Sequence, residues 1–241
     1  MATIGWGDGR RRALLIHGIQ SNAAGWWRAG PALADMGFAV TAPDLRGHGS
    51  SPDPTDHTFD SHAADLIELG SRWDLVVGHS LGGALALVAL RLDPGFAARL
   101  VLEDPALAIF DPDEALHQLG QQFGVEGTID WVAEHNPTWH PEDVRIKVEA
   151  LKETSHQVTE AILRQNEPWN VMADLAALTI PTLVLGADPE LGALVPPALG
   201  ESLGGLNEHI RFVSIPGSSH SMHRDEFEAF IAEIEQFLAV E

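Results

Sequence analysis

Asp74-Leu75-Val76-Val77-Gly78-His79-Ser80-Leu81-Gly82 is the stretch that decides the fold of this chain. Residues 74–77 are short, apolar and β-branched, the signature of a buried strand. The following run, Gly83-Ala84-Leu85-Ala86-Leu87-Val88-Ala89-Leu90, is rich in Ala and Leu and predicts a helix. Between them sits Ser80, on a sharp turn from strand to helix. Glycines two residues before and after it relieve the crowding such a turn creates, and the turn lifts the hydroxyl clear of the sheet. The helix that follows aims its N-terminal dipole and free N–H groups at that hydroxyl. A strand before and a helix after turn a weak five-residue pattern into a specific one.

Working outward, apolar runs alternate with helical patterns. Residues 13–16, 38–41, 75–77, 100–102, 182–185 and 210–213 read as strands. Most are too uniformly apolar for a sheet with one wet face and suit parallel strands covered on both sides. Helices are expected near 25–36, 59–70, 81–92 and 223–239, the last with a stripe of Phe227, Phe230, Ile231, Ile234, Phe237 and Leu238. This alternation implies an α/β fold with a doubly wound, mostly parallel sheet. Residues 106–178 break the rhythm. They carry no convincing strand, but helical stretches around 112–123, 127–135, 141–153 and 156–165. The expected organisation is a core of residues 1–105 and 179–241, with a helical cap, 106–178, inserted between the strands ending near 104 and beginning near 181. Such insertions cover the ligand crevice at the carboxyl edge of the sheet. The cap's Trp131 and Trp169 are the candidates for lining an apolar substrate pocket.

Composition narrows the classes. The chain has 241 residues, 45% of them hydrophobic, enough for one substantial core. With no cysteine there is no disulfide, thiolate metal site or cysteine nucleophile. Fourteen Lys plus Arg against 35 Asp plus Glu give a formal charge of −21, spread along the chain, which disfavours nucleic acid and anionic membranes as partners. The same charge leads to the expectation that strongly anionic substrates are rejected. No apolar run reaches the roughly 18 residues of a membrane span. The first residues lack the pattern of a signal peptide, so a cytoplasmic location is expected.

Polar groups gather where the strands end. His17 and Gly18 follow the first strand, Asp44 the second, Ser80 the third, Glu103 and Asp104 the fourth, Asp188 the fifth, His220 and His223 the sixth. Parallel strands all end on one edge, so these groups can converge there. A serine hydroxyl needs a base to become a nucleophile. No carboxylate lies at a spacing that would make His220 and His223 a metal site, and neither metal nor cofactor is expected.

Taken together the motifs resemble those of the α/β-hydrolase superfamily. His17-Gly18 is similar to its oxyanion loop, and Asp44-Leu45-Arg46-Gly47-His48-Gly49-Ser50 to its D-x-R-G-x-G-x-S turn. Residues 78–82 are similar to its nucleophile elbow, Gly186-Ala187-Asp188 to its acid loop, and Gly217-Ser218-Ser219-His220 to its histidine loop. The resemblance runs over nearly the whole chain and is nearest to small capped esterases, lactonases and C–C hydrolases. It implies Ser80 as nucleophile, His220 as base rather than His223, and Asp188 as the acid, with Asp104 or Glu103 as alternatives. It implies an oxyanion hole from the backbone N–H groups of Ile19 and Leu81. His17, His48, Asp44 and Arg46 are implied to brace loops. Serine at position 80 argues against dehalogenase or epoxide hydrolase chemistry, whose enzymes use aspartate there. The expected activity is hydrolysis of a carboxylic ester, lactone or related bond of a small apolar substrate through an acyl-enzyme. A lyase, a C–C hydrolase, a cofactor-free oxygenase or a non-catalytic ligand receptor on the same scaffold are the alternatives.

Overall fold

The computed structural model describes residues 1–124 and 127–240. Nine strands and eleven α-helices alternate along the described residues. In chain order they are β1 (Thr3–Trp6), β2 (Arg11–Ile16), α1 (Ala29–Asp35), β3 (Phe38–Pro43), α2 (Phe59–Leu69), β4 (Leu75–His79), α3 (Leu81–Leu92) and β5 (Leu100–Glu103). Then come β6 (Ala108–Ile109), α4 (Pro112–Gln121), α5 (Ile129–His135), α6 (Pro141–Glu153), α7 (His156–Gln165), β7 (Trp169–Asn170) and α8 (Met172–Ala176). The chain closes with β8 (Thr182–Gly186), α9 (Pro197–Leu206), β9 (Ile210–Ser214), α10 (Met222–Asp225) and α11 (Phe227–Ala239).

All six expected strands are present. With β1 they form one seven-stranded sheet in the order β1-β3-β2-β4-β5-β8-β9. Every pairing is parallel except that of β1 with β3, which closes one edge with Thr3 opposite Pro43 and Trp6 opposite Val40. Order reverses on either side of β2 and β4, the hallmark of a doubly wound sheet, and β4 lies at its centre.

Alternation along each strand builds a core on both faces. Leu14 and Ile16 of β2, Leu100 and Leu102 of β5 and Val184 of β8 pack with α2, α3, α7, α8 and α9. Their neighbours Ala13, Leu15, Val101, Leu183 and Leu185 pack on the other face with Trp26, Leu33 of α1 and Phe230, Ile234 and Phe237 of α11. The C-terminal stripe is therefore a core-facing stripe. Full coverage explains why the strands are almost continuously apolar.

Helices α4–α7 stand between β5 and β8, close to the stretches expected from the sequence. Their starts are chemically marked: Asp111, Thr128, His140 and Ser155 each accept a bond from a backbone N–H in the first turn. The expectation of no strand in residues 106–178 needs correction. Ala108 and Ile109 pair antiparallel with Asn170 and Trp169, a two-residue ribbon that ties the two ends of the insertion together. Such a short pair leaves no periodicity to detect. Val132, Val144 and Val148, with Trp131 and Trp139 against them, form a small apolar cluster of the insertion itself. None of the described helices is long and apolar enough to cross a membrane.

Candidate active site

Ser80 occupies the turn from β4 to α3 with φ 53° and ψ −116°, a conformation that non-glycine residues rarely adopt. The flanking glycines are required by space. A Cβ on Gly78 would come within 2.6 Å of the Gly82 carbonyl oxygen, and one on Gly82 within 2.2 Å of the Ile16 carbonyl oxygen. The first clash would spoil the turn itself, the second its seating against β2. The Ser80 N–H donates to the Glu103 carbonyl at 3.0 Å, and its carbonyl accepts from Gly83 and Ala84 in α3 and from Ala106. The strained residue is thus held from the neighbouring strand and from its own helix.

His220 lies in the loop after β9. Its Nδ1 donates to Asp104 Oδ2 at 2.6 Å, a charge-assisted geometry that fixes the ring and leaves Nε2 as the other nitrogen. Asp104 is fully buried and also accepts from the N–H groups of Leu194 and Val195 at 3.0 and 2.8 Å. Asp188, the acid preferred from the sequence, is elsewhere. Its carboxylate accepts from Gly217 N–H and Glu190 N–H, each at 3.0 Å, and those bonds hold its pKa below the usual carboxylate range. It caps a short 3₁₀ turn and pins the loop that carries His220 without touching the imidazole by any bond. The structure therefore brings His220 to Asp104, the alternative, and not to Asp188 as the sequence led one to expect.

The other alternative, Glu103, has its own histidine. Glu103 is fully buried, and its carboxylate accepts from His223 Nδ1 at 2.8 and 2.9 Å and from the His223 backbone N–H at 2.9 Å. Asp104, the residue after β5, turns into the left-handed region at φ 38°, so its side chain departs from the direction of Glu103. Glu103 and Asp104 accordingly serve two different histidines. His223 lies in α10 and is buried beneath Trp26 at a ring distance of 4.5 Å. His79 stands between the two, its ring 4.6 Å from that of His220 and 5.1 Å from that of His223. His79 Nε2 donates to the His220 carbonyl at 2.8 Å. Burial, then the charges of His220 and His223, push its pKa well below the histidine range, so it stays neutral.

The loop after β2 forms the facing wall. A Cβ on Gly18 would lie 2.9 Å from His79 Nδ1 and 3.1 Å from Ser80 Cβ, so only glycine lets this loop approach the elbow. Among the described residues, neither Ile19 nor Leu81 gives its backbone N–H to a hydrogen bond, and both residues line the same cavity as Ser80. His17, His48 and Asp44 brace this loop, while Arg46 ties its own loop to α2. His17 Nδ1 donates to the Gly18 carbonyl at 2.7 Å while its Nε2 accepts from Leu45 N–H at 3.0 Å. His48 Nε2 accepts from Gln20 N–H at 3.3 Å. Asp44 accepts from Ala23 N–H and Ser50 N–H, each at 2.8 Å, and Arg46 pairs with Asp65 at 2.8 Å. Burial lowers the pKa of His17 to about 4 and that of His48 to about 3.

Ser80, His220, Ile19 and Leu81 open onto a cavity of about 490 Å³ between the sheet edge and α4–α7. Its apolar wall includes Ile109, Leu119, Leu163, Leu194 and Trp169. Trp169 is buried, edge-on to Phe59 at 4.6 Å, and donates its indole N–H to the Ala106 carbonyl at 2.7 Å. Trp131 is corrected: it stacks on His135 at 3.8 Å within the insertion and does not line the cavity. Trp139 takes the place expected of it. Two further lining residues, Lys147 and Arg224, escaped the sequence reading. Lys147 had a signal, because it shares a helical face with the buried Asp143, Val144, Ala150 and Leu151. Arg224 had none. Among the described residues no group of three or more histidine or acidic side chains is placed to hold a metal ion.

The chain is similar to several known proteins. Lipase LipV of Mycobacterium tuberculosis is 40% identical over 106 residues, a match spanning 42% of this chain and 40% of that protein. A putative carbamate hydrolase, RutD, of Variovorax paradoxus is 28% identical over 94% of this chain and 91% of its own length. Among solved structures, a thermophilic esterase from Thermogutta terrifontis superposes with a TM-score of 0.77 at 27% identity, over 98% of this chain and 92% of that one. The family model described as "Alpha/beta hydrolase family" matches residues 13–233, from the second strand to the last helix, and the chain belongs to that family.

Proposed function

We propose that this chain is a serine hydrolase that cleaves a carboxylic ester, lactone or related acyl bond of a small substrate through an acyl-enzyme. The observation that carries the reading is the 2.6 Å contact of His220 Nδ1 with the buried Asp104 beside a serine held at φ 53° on the elbow. Ser80 Oγ attacks the carbonyl carbon while His220 Nε2 takes its proton. Asp104 keeps the proton of the imidazole on Nδ1 and stabilises the imidazolium that forms. The N–H groups of Ile19 and Leu81 receive the oxyanion, and such donors are worth roughly 3 kcal/mol each in known serine hydrolases. Collapse of the tetrahedral intermediate expels the alcohol, which takes the proton from His220. Water then enters by the same route in reverse and frees Ser80. The insertion α4–α7 acts as a cap that keeps this chemistry out of bulk water. The names of the lipase, carbamate hydrolase and esterase relatives support hydrolysis as the reaction type.

The test is labelling with a fluorophosphonate followed by mapping of the adduct, with a rapid-mixing experiment on a 4-nitrophenyl ester. A label on Ser80 and a stoichiometric burst of nitrophenolate are expected. A protein that neither labels at Ser80 nor turns over esters would remove the reading and favour a ligand receptor.

A further inference from the structure

The cavity carries positive charge that the acyl chemistry leaves unused. Lys147 extends from α6 and donates from Nζ to the Gln20 carbonyl at 3.2 Å. Arg224 comes from α10, four residues beyond His220, and is only 3% exposed. Its Nη2 donates to Ser21 Oγ at 3.2 Å and its Nε to His223 Nε2 at 3.2 Å, with the guanidinium carbon 4.7 Å over the Trp139 ring. Gln20 and Ser21 are consecutive and directly follow Ile19. Two cationic heads from two helices therefore meet on one two-residue stretch, next to the oxyanion loop, and both line the cavity of Ser80.

Neither head has a carboxylate partner. None of the ion pairs among the described residues includes Lys147 or Arg224. The acids whose fields reach Arg224 are Asp143, Glu103 and Asp225, and none of them lines the cavity. Each holds a donor elsewhere, Asp143 the Trp27 indole N–H at 2.9 Å, Glu103 His223, and Asp225 Ser219 N–H at 2.8 Å, while the second oxygens of Asp143 and Asp225 are buried without a hydrogen-bond partner and reach Arg224 only through their field. The acidic residues that do line the cavity, Asp111 and Glu114, are exposed at its mouth, where Asp111 caps α4 and Glu114 accepts from Gln118. Arg224 spends two of its five N–H donors on protein, and Lys147 one of three. Holding a buried guanidinium beside a half-buried ammonium, neither in an ion pair, is costly. The cost is visible in Lys147, whose pKa falls to about 7 through burial and then the charge of Arg224. An anion set between the two heads would relieve both terms.

We propose that Lys147 and Arg224 form a carboxylate subsite, so that the substrate is an acyl compound bearing a carboxylate, such as the half-ester of a short dicarboxylic acid. The inference rests on the serine hydrolase reading of the same cavity. Apolar methylenes lie along Leu119, Leu163 and Trp169, and the carboxylate lies on the Gln20–Ser21 loop between the guanidinium and the ammonium. The expectation that the net charge of −21 rejects anions gives way here. Exposed charges are screened beyond about 8 Å at physiological salt, whereas a buried guanidinium and a half-buried ammonium act at contact.

The experiment compares mono-4-nitrophenyl glutarate with 4-nitrophenyl pentanoate, which differ by a carboxylate in place of a terminal methyl. After correction for uncatalysed hydrolysis, wild-type kcat/KM is expected to favour the glutarate ester at least tenfold. That ratio should collapse towards one in Lys147→Gln and in Arg224→Gln. Lys147→Gln is the safer variant, since Arg224 is also bonded to His223. An equal or reversed preference in wild type, or a preference that survives Lys147→Gln, overturns the proposal. If the protein neither labels at Ser80 nor cleaves either ester, the hydrolase reading fails separately. Calorimetric titration with glutarate then decides the subsite: binding lost in Lys147→Gln supports it, and no binding to wild type overturns it.

Discussion

Asp104 reaches His220 across 116 residues of sequence, with Oδ2 2.6 Å from Nδ1, while Glu103 beside it reaches His223 at 2.8 Å. Two adjacent carboxylates at the end of β5 thus organise two histidines, His220 in the loop after β9 and His223 in α10. One pair borders the cavity and the other is sealed beneath Trp26. Exposure separates the two imidazoles: that of His220 borders the open space and that of His223 does not.

Substitution should separate the three acids. Asp104→Asn is expected to lower kcat by about ten thousandfold, because an amide N–H facing Nδ1 favours the wrong tautomer. Asp188→Asn should retain most of kcat and lose stability in the loop at 217–220. Glu103→Gln should weaken the fold by about 1–3 kcal/mol, by replacing a charged acceptor of two buried His223 donors. Steady-state kinetics with urea unfolding on each variant checks this. Full activity of Asp104→Asn would remove Asp104 from the mechanism.

At the elbow, chemistry and strain can be separated. Ser80→Ala should fold and lose at least about a thousandfold in kcat. Ser80→Gly should be equally inactive yet more stable than the alanine variant, since φ 53° and ψ −116° cost a Cβ-bearing residue about 1–3 kcal/mol. Glycine elsewhere normally destabilises relative to alanine, so the reversed order of unfolding midpoints is the diagnostic.

Acid should destabilise the protein earlier than its carboxylates alone would require. His17 and His48 are held neutral, at about 4 and about 3, and in the unfolded chain they titrate near the ordinary value of about 6.5. Below that pH the unfolded chain binds more protons, so stability is complete above it and falls as pH drops towards the folded values. Two such groups give a slope of up to about 2.7 kcal/mol per pH unit. His62 and His79, also lowered by burial, add in the same direction. Urea midpoints measured from pH 7.5 to 4.5 test this, and a flat profile down to pH 5 would contradict it.

The tryptophans should divide by location. Trp139→Ala should change kcat/KM selectivity along an acyl-length series, because its ring borders the cavity and Arg224. Trp131→Ala should leave selectivity unchanged and cost only local stability in the insertion. Trp169→Ala should cost about 3–5 kcal/mol, the range for emptying a buried aromatic site. Equal selectivity changes in Trp131→Ala and Trp139→Ala would remove the distinction.

Much of this architecture could be read in advance. Continuous apolar runs at 13–16, 75–77, 100–102 and 182–185 require strands covered on both faces, and they form the middle of the sheet. The elbow glycines foretold Ser80's conformation because the clash they avoid is local. Helices α8 and α9 went unread, the first because it is a single short turn and the second because of its glycines at 200, 204 and 205.

By itself the sequence determined what short-range forces decide: strand and helix periods, the caps, the elbow, and the set of polar residues delivered to one edge of the sheet. Only the tertiary structure decided which of those residues meet. Asp188 and Asp104 both follow strands that end at that edge, and nothing local distinguishes them. His220 meets Asp104 because β5 lies directly beside β4 and Asp104, just past its end, turns away from Glu103 at φ 38°. The same holds for Lys147 and Arg224, 77 positions apart, whose meeting on Gln20 and Ser21 exists only once α6 and α10 have packed. Arg224, a charged residue on a four-residue helix, looks like solvent surface until the fold buries it.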